Sequence, residues 1–315
     1  MPSFDEVNYS LRPNKHIQRT IVFDGLRSIK SELNLRNCIY IGFGSIWFTD
    51  FGLAHRILQV NDMISIEGDE IGIRRAQFNK PFKTVRIEPG HSNEVIPKLL
   101  LEQQLQGRPW VVWLDYDKSL QEESVDDIRS IVERAPQNSV LLVTLNASGG
   151  SIARAPESRP QRLRALLGPT VPDELSRDDC REDTLPETIA KLIQDFMVSV
   201  AVAAARPGSL VPAFRLIYRD GAPMVTVGGI LPSRGAVSAA RDVTQSAGWQ
   251  GFPSARIVAP HLTIREAAAL QSELPRTRSL SRKSVQKLGF DLKEEQIKSF
   301  EKYYRYYPSF AQITT

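Results

Sequence analysis

The feature that most constrains this chain is a series of short apolar runs that alternate with helix-like segments. The runs are NCIYIGFG, DMISIEGDE, FKTVRIEPG, PWVVWLDYD and NSVLLVTLNA, all between residues 37 and 147. PWVVWLDYD is apolar enough to be buried on both faces, as the strands of a parallel sheet are. Strands and helices that alternate at this spacing predict a doubly wound α/β sheet with five parallel strands.

A hairpin signal follows the fifth run. PAFRLIYRDGAPMVTVGGIL holds two strand-like runs on either side of Asp220-Gly221, and Asp-Gly favours a tight hairpin turn. A dinucleotide-binding fold normally continues with β-α-β units instead. We therefore predict a Rossmann-like seven-stranded sheet, with five parallel strands plus a C-terminal β-hairpin.

The rest of the chain divides around this sheet. We predict an N-terminal helical segment over residues 1–36, the sheet domain over residues 37–235 and a C-terminal helical extension over residues 236–315. Residues 148–186, rich in Ser, Pro, Arg and Asp, are predicted to form an insertion or lid within the sheet domain.

Composition limits the compartment and the partners. No run of about 18 apolar residues is present, so we expect no membrane span. The N-terminus lacks an apolar signal core, and the two cysteines show no disulfide or zinc spacing. We therefore expect a cytoplasmic protein.

The charge of the C-terminal region is more uneven than the net charge of +4. Residues 276–305 carry nine Lys or Arg against four Asp or Glu. This tail either contacts an anionic partner such as nucleic acid or forms a solvated helix face. The aromatic residues of YYRYYP suit packing or homodimer contacts better than stacking on bases.

The first apolar run ends in a glycine turn, Gly42–Ser45. A dinucleotide fingerprint places a third glycine where this chain has Trp47, and an indole there opposes the close approach of a pyrophosphate. No P-loop sequence is present. The two glycines still allow the backbone to approach a ligand that lacks phosphates. Trp47, Phe48 and Phe51 are predicted to lie in the core.

Polar groups at the ends of the following runs complete a candidate ligand site. Glu67 stands about one βα unit after the glycine turn, where a carboxylate can accept two hydrogen bonds from a ribose diol. Gly90–Ser92 could border an adenine ring, and Asp115 and Asp117 follow the fourth run. The candidate ligand-binding residues are Gly42, Phe43, Gly44, Ser45, Glu67, Gly68, Gly90, His91, Ser92, Asp115 and Tyr116.

The series YIGFGS, ISIEGDE, IEPGHSNEVIP, WLDYD and LLVTLNA, followed by the hairpin, resembles the class I S-adenosylmethionine-dependent methyltransferases over residues 37–231. It is most similar to O-methyltransferases of a bacterial family, which NYSLRPNKHIQRTI and YYRYYPSF also resemble. The resemblance implies S-adenosyl-L-methionine as cofactor and an oxygen acceptor. It also implies that Gly42 and Gly44 border the methionine part, that Glu67 binds the ribose and that Asp115 lies near the methyl donor.

Departures from the class leave alternatives open. The class has an acidic residue two positions before the first glycine, where this chain has Tyr40. No NPPY-like motif follows the fourth run, which disfavours methylation of amino groups on DNA bases. The alternatives are a non-catalytic binding module of the same fold, or a nucleic-acid methyltransferase that uses the basic tail. Arg12 and Lys15 could reach the cofactor carboxylate or an acidic substrate, or only decorate a helix start.

Asp115, Asp117 and His91 are the candidate catalytic residues, because a carboxylate or imidazole can take a proton from the nucleophile. Asp117 could instead cap the next helix, and His91 could be a surface residue. Catechol-type O-methyltransferases hold Mg²⁺ near positions that correspond to Asp115 and Asn146. Leu145 stands where they have a second acid, so we predict no metal and keep Mg²⁺ as the lesser alternative.

Overall fold

The computed structural model describes residues 12–308. Its strands are β1 (Ile39–Gly42), β2 (Met63–Glu67), β3 (Val85–Pro89), β4 (Trp110–Asp115), β5 (Ser139–Asn146), β6 (Val211–Asp220), β7 (Ala222–Leu231) and β8 (Ala255–Ile257). The helices up to the hairpin are α1 (Pro13–Glu32), α2 (Thr49–Leu58), α3 (Glu70–Asn79), α4 (Ser92–Leu99), α5 (Glu122–Arg134), α6 (Gly149–Ile152), α7 (Arg159–Leu167) and α8 (Leu185–Ala203). After the hairpin come α9 (Val237–Gln245), α10 (Ile264–Ser272), α11 (Arg282–Lys287) and α12 (Glu294–Tyr303).

The strands form one sheet in the order β3-β2-β1-β4-β5-β7-β6-β8. Neighbouring strands from β1 to β5 pair in parallel, and β7 is antiparallel to both β5 and β6. The strand order reverses between β1 and β4, because the chain builds outward from β1 to β3 and then returns. Ligands of open α/β sheets bind beyond the carboxyl ends of the strands at such a switch point.

The predicted Rossmann-like fold, its five parallel strands and its hairpin at Asp220-Gly221 are confirmed, but the strand count is wrong. The sheet has eight strands rather than seven, because β8 pairs in parallel with the outer edge of β6. Only three residues, Ala255–Ile257, form this strand, and they lie in a segment that was predicted to be helical. So short a run carries no detectable alternation.

Helices cover both faces of the sheet, which explains the unbroken apolar character of the central strands. In β4, Val112 and Leu114 belong to the core cluster with α4, α5 and α8. Val111 and Trp113 point to the opposite face and belong to the cluster with α1 and α2. The period of two along the strand divides its side chains between these two cores.

Among residues 12–36, the N-terminal segment forms one helix, α1, which starts at the carboxyl edge of the sheet with polar side chains buried in its first two turns. Asn14, Lys15, Gln18 and Arg19 are all buried. Asn14 Nδ2 donates to the carbonyl of Arg219 in β6 (2.9 Å), and its Oδ1 accepts from the backbone N–H of Ala259 (2.7 Å). These bonds fix the start of α1 over the sheet edge.

The C-terminal tail packs against the same core as α1. Tyr303 and Tyr307 are buried there, and the partly exposed Tyr304 and Tyr306 pack against this core. Arg282 pairs with Asp291, which offsets part of the tail's positive charge. The segment boundaries at residues 36 and 235, the homodimer and the nucleic-acid contact stay predictions. None of the helices within residues 12–308 is both long and apolar enough to traverse a lipid bilayer.

Candidate functional site

A cavity of about 530 Å³ opens at the carboxyl edge of the sheet beside the switch point, a size that suits a small-molecule ligand. It brings together ten of the eleven predicted ligand-binding residues, which are Phe43, Gly44, Ser45, Glu67, Gly68, Gly90, His91, Ser92, Asp115 and Tyr116. Gly42 is buried below the turn, where a Cβ would lie 2.9 Å from the carbonyl oxygen of Trp113.

The glycine turn is held against β2. The backbone N–H of Gly44 donates to Ser65 Oγ (2.9 Å), and a Cβ at Gly44 would overlap the Phe48 ring and lie 2.6 Å from Ser65 Oγ. Phe48 and Phe51 are buried, as predicted. Trp47 was wrongly predicted to lie in the core, because it is 48% exposed and lines the cavity.

Glu67 lies at the end of β2 with its carboxylate over the start of α3. A Cβ at Gly72 would lie 2.8 Å from Glu67 Oε1, so the glycine leaves room for the carboxylate. Asp69 caps α3 by accepting from the backbone N–H of Gly72 (2.7 Å). The half-buried Glu67 therefore faces the cavity while Asp69 satisfies the helix start.

The loop after β3 closes against the loop after β2. The backbone N–H of Gly90 donates to the carbonyl of Glu67 (2.9 Å), and Gly90 has φ +129°, a conformation that favours glycine. The exposed His91 lies over Gly68, where a Cβ would be 2.7 Å from His91 Nδ1. Two glycines thus allow two strand-end loops to meet at the cavity.

An aromatic pair forms another wall, and a buried acid lies behind it. The Tyr116 ring meets the Phe43 ring edge-to-face at 5.2 Å, and Tyr116 Oη donates to Asp127 Oδ2 (2.6 Å). Burial raises the pKa of Asp127, although hydrogen bonds with Ser92 and Tyr116 act in the opposite direction. We did not predict Asp127 from the sequence. The sequence feature that could have identified Asp127 is its position on the buried face of α5, between Ser124 and Ile128.

Asp115 is joined to α1 at the end of β4. Lys15 Nζ donates to both of its carboxylate oxygens, at 2.7 Å and 3.0 Å, and also contacts Tyr218 Oη at 3.2 Å. Burial alone would lower the pKa of Lys15, but the nearby charge of Asp115 and the Tyr218 hydroxyl outweigh it, and the pKa is raised. Lys15, which we considered as a partner of the ligand, is therefore the partner of Asp115.

These contacts bear on the Mg²⁺ alternative. Asn146 Oδ1 accepts from the backbone N–H (2.9 Å) and Oγ (2.7 Å) of Ser148, and both oxygens of Asp115 already contact an ammonium group. Among residues 12–308, no group of three or more His, Cys, Asp or Glu side chains could hold a metal ion. This donor set does not fit Mg²⁺, which prefers several free oxygen ligands.

A second buried ion pair, absent from our predictions, lies beside the first. Arg19 Nε donates to Asp50 Oδ1 (2.6 Å), and both residues line the cavity. Arg19 Nη1 is buried without a hydrogen-bond partner among the described residues. Arg19 stands one helical turn after Lys15, and Asp50 lies in the first turn of α2, so only the packing of α1 against α2 reveals the pair.

The remaining catalytic candidates are at the surface of the cavity. Asp117 and His91 are both exposed and line it. Asp117 does not cap the next helix, since α5 begins after Gln121, whose backbone N–H donates to Ser124 Oγ (3.0 Å). The structure thus brings Asp115, Asp117 and His91 to one cavity, and it leaves Asp117 and His91 accessible.

The cavity wall is acidic. Six carboxylate side chains line it, against two basic side chains, Arg19 and Lys118; the six are Asp50, Glu67, Glu94, Asp115, Asp117 and Glu123. A wall of this sign attracts a cationic ligand and repels a pyrophosphate.

A family described as "Putative O-methyltransferase" matches residues 7–315, nearly the whole chain.

The chain belongs to this family.

The match confirms the methyltransferase resemblance that the strand-end motifs carried, and it includes the α1 helix and the C-terminal extension of this family member. Among curated proteins no match was found.

Solved structures resemble this family member only distantly. Trm1 from Pyrococcus horikoshii, in complex with S-adenosyl-L-methionine, aligns with a TM-score of 0.44 and 12% identity over 73% of this chain and 58% of its own. The N-methyltransferase NodS from Bradyrhizobium japonicum aligns at 0.38 and 13% over 71% of this chain and 99% of its own. This chain therefore spans less than two thirds of Trm1.

Proposed function

We propose that this chain binds S-adenosyl-L-methionine and catalyses methyl transfer to an oxygen atom of an acceptor. The observation that carries the proposal is the acidic cavity at the carboxyl ends of β1 to β4, which unites the strand-end residues. Membership of the O-methyltransferase family supports the same reaction. The cofactor supplies an electrophilic methyl group on a positively charged sulfur.

The residues present fit the nucleoside part of this cofactor. We assign Glu67 to accept two hydrogen bonds from the ribose hydroxyl groups, as acidic residues at this position of α/β folds do. The loop Gly90–Ser92 and the edge-to-face pair of Phe43 and Tyr116 border the part of the cavity that we assign to the adenine ring. Aromatic edges and small backbone turns suit a flat, uncharged base.

The charge of the cavity fits the sulfonium part. Carboxylates outnumber basic side chains along the wall, so the wall favours a cation over an anionic nucleotide. The indole of Trp47 stands where a dinucleotide fingerprint has its third glycine, and it lines the same cavity. Both features disfavour NAD-type ligands.

The chain's contribution to the reaction is to position the acceptor and to receive a proton. Alignment of two bound reactants accounts for much of the acceleration of such displacements. Both oxygens of Asp115 accept hydrogen bonds from Lys15, so we do not assign Asp115 to accept the proton. We assign it instead to the cavity wall near the reacting methyl group. Asp117 and His91 are exposed on that wall, and we assign one of them to accept the proton of the acceptor hydroxyl.

Titration calorimetry on the purified protein tests the binding step. We expect micromolar binding of S-adenosylmethionine and S-adenosylhomocysteine, and no binding of NADH, an anionic control that also carries an adenosine. A folded sample that binds neither sulfur compound would overturn the proposal. Binding without methyl transfer to any pool of alcohols, phenols or carboxylic acids would favour the non-catalytic module instead.

Methyl transfer from labelled cofactor tests the acceptor atom. Transfer to alcohols, phenols or carboxylic acids, and not to the matched amines, is the expected result. Label that base treatment releases as methanol would identify a methyl ester, whereas label stable to base would identify an ether. Exclusive labelling of amines would overturn the oxygen assignment and leave the cofactor assignment intact.

A further inference from the structure

The Arg19–Asp50 ion pair joins α1 to α2 and is almost completely buried. The side chains are only 11% and 8% exposed. A buried ion pair is seldom more stable than apolar residues of the same volume, so burial of these charges brings little stability by itself. Arg19 Nη1 is also buried without a hydrogen-bond partner among residues 12–308, which adds to this cost, because a buried donor loses its bond to water.

The same region lacks the acid that class I methyltransferases place before the glycine turn. Tyr40 occupies that position, is buried, and packs edge-to-face on Phe51 at 5.0 Å. Burial, together with the charges of Asp50 and Asp115, raises the pKa of Tyr40 well above its ordinary value. Its hydroxyl therefore stays neutral and cannot replace the missing carboxylate.

Two buried or half-buried carboxylates lie close to Tyr40, and their partners differ. Asp115 already accepts from Lys15 through both oxygens. Asp50 accepts from Arg19 Nε through Oδ1, and it lines the cavity directly after the glycine turn. Asp50 is thus the carboxylate best placed to receive an ammonium group from a ligand.

We propose that Arg19 and Asp50 together bind the amino-acid end of the cofactor, Arg19 through Nη1 to the α-carboxylate and Asp50 to the α-ammonium. A cation and an anion held side by side match the two opposite charges of an amino acid, and a guanidinium group suits a carboxylate. This inference rests on the proposed function. It makes the N-terminal helix α1, outside the predicted sheet domain, part of the cofactor site.

Calorimetry with two probes that share the nucleoside tests this assignment. S-Adenosylhomocysteine carries the amino-acid end, and 5′-methylthioadenosine lacks it. We expect the wild-type protein to bind S-adenosylhomocysteine more tightly. In Arg19→Met and Asp50→Asn, affinity for S-adenosylhomocysteine should fall about 10- to 100-fold, the usual effect of losing a hydrogen bond to a charged group. Affinity for 5′-methylthioadenosine should change less than about threefold.

Controls separate this role from a purely structural one. Arg27→Met removes an exposed Arg–Asp pair on the same helix and should leave both affinities unchanged. Arg19→Lys keeps the positive charge for a fold that does not tolerate Met, and it should weaken S-adenosylhomocysteine selectively. If the Arg19 and Asp50 variants lost affinity equally for both probes, or lost none, the inference would be overturned. It would also be overturned if the wild-type protein bound S-adenosylhomocysteine and 5′-methylthioadenosine with equal affinity. Wild-type protein that binds neither probe would instead overturn the proposed function.

Discussion

Lys15 Nζ lies 2.7 Å from Asp115 Oδ2 and 3.0 Å from Asp115 Oδ1, which joins the N-terminal helix to the carboxyl end of β4. The two partners differ in exposure, since the side chain of Lys15 is 6% exposed and that of Asp115 is 21% exposed. The contact holds the start of α1 at the carboxyl edge of the sheet, where Arg19 of the same helix lines the cavity. It also gives Asp115 a fixed cationic partner within the protein.

This asymmetry predicts unequal effects of breaking the pair. Asp115→Asn leaves the Lys15 ammonium buried without its counterion and should lower the free energy of unfolding by about 3 kcal/mol. Lys15→Met leaves a carboxylate that water in the cavity can solvate, so it should lower the free energy by roughly half as much. Urea unfolding of the two variants measures the difference.

The double variant Lys15→Met/Asp115→Asn is the control for this prediction. It removes both charges, so its loss should be smaller than the sum of the two single losses. Additive losses would show that the two groups do not stabilise each other. A larger loss for Lys15→Met than for Asp115→Asn would contradict the expected role of solvation.

The ribose assignment of Glu67 predicts a loss of binding without a loss of stability. Glu67→Gln keeps the shape of the side chain but removes the charge that strengthens its hydrogen bonds, so S-adenosylhomocysteine should bind about 10-fold more weakly. Glu67→Ala should weaken it further. Glu70→Gln alters an exposed carboxylate three residues later and should have no effect. Calorimetry that finds equal affinities in Glu67→Ala and the wild type would refute the assignment.

The sequence predicted the cavity-lining residues that follow strands and missed those contributed by helices. Gly44, Glu67 and Asp115 stand directly after apolar runs, and the carboxyl ends of parallel strands must meet at one edge. Arg19 and Asp50 are contributed by α1 and α2, and their meeting depends on how two helices cross, which periodicity alone does not give.

The errors at β8 and Trp47 also come from contacts that the sequence pattern does not encode. β8 is three residues long and pairs only because β6 presents an open edge. Trp47 follows the helical spacing of Phe48 and Phe51, but the chain turns before α2 begins, with Phe48 in the left-handed conformation. A helical pattern therefore does not apply to Trp47, whose indole reaches the cavity.

Alanine substitutions at Gly44, in the glycine turn, and at Gly52, in α2, should have opposite effects on the free energy of unfolding. Gly44→Ala should lower the free energy of unfolding by about 1–3 kcal/mol, because the new methyl group meets the Phe48 ring and Ser65 Oγ. Gly52→Ala lies inside α2 with open space around the added Cβ, and it should raise the free energy of unfolding by about 0.5–1 kcal/mol. Urea unfolding of both variants is the measurement, and a stable Gly44→Ala variant would show that Phe48 can move aside.

The stability of the protein should depend on pH through His16, in the first turn of α1. Burial, and next the positive charge of Arg19, lower the pKa of His16 from its ordinary value of 6.5. The unfolded chain therefore binds a proton near this pH that the folded protein does not bind. The resulting stability is present above pH 6.5 and is lost as the pH falls through the lowered pKa of the folded state.

His16→Gln removes this titration, so urea midpoints of the variant should fall less than those of the wild type between about pH 7.5 and about pH 5.5. His261→Gln, at an exposed position, controls for the loss of an imidazole elsewhere and should follow the wild type. Parallel curves for His16→Gln and the wild type would mean that His16 gains its proton equally in both states. In Arg19→Met the repulsion between the guanidinium and His16 is gone, so the loss of stability at acidic pH should also be smaller than in the wild type. This pH dependence is therefore connected to the charge beside the cavity.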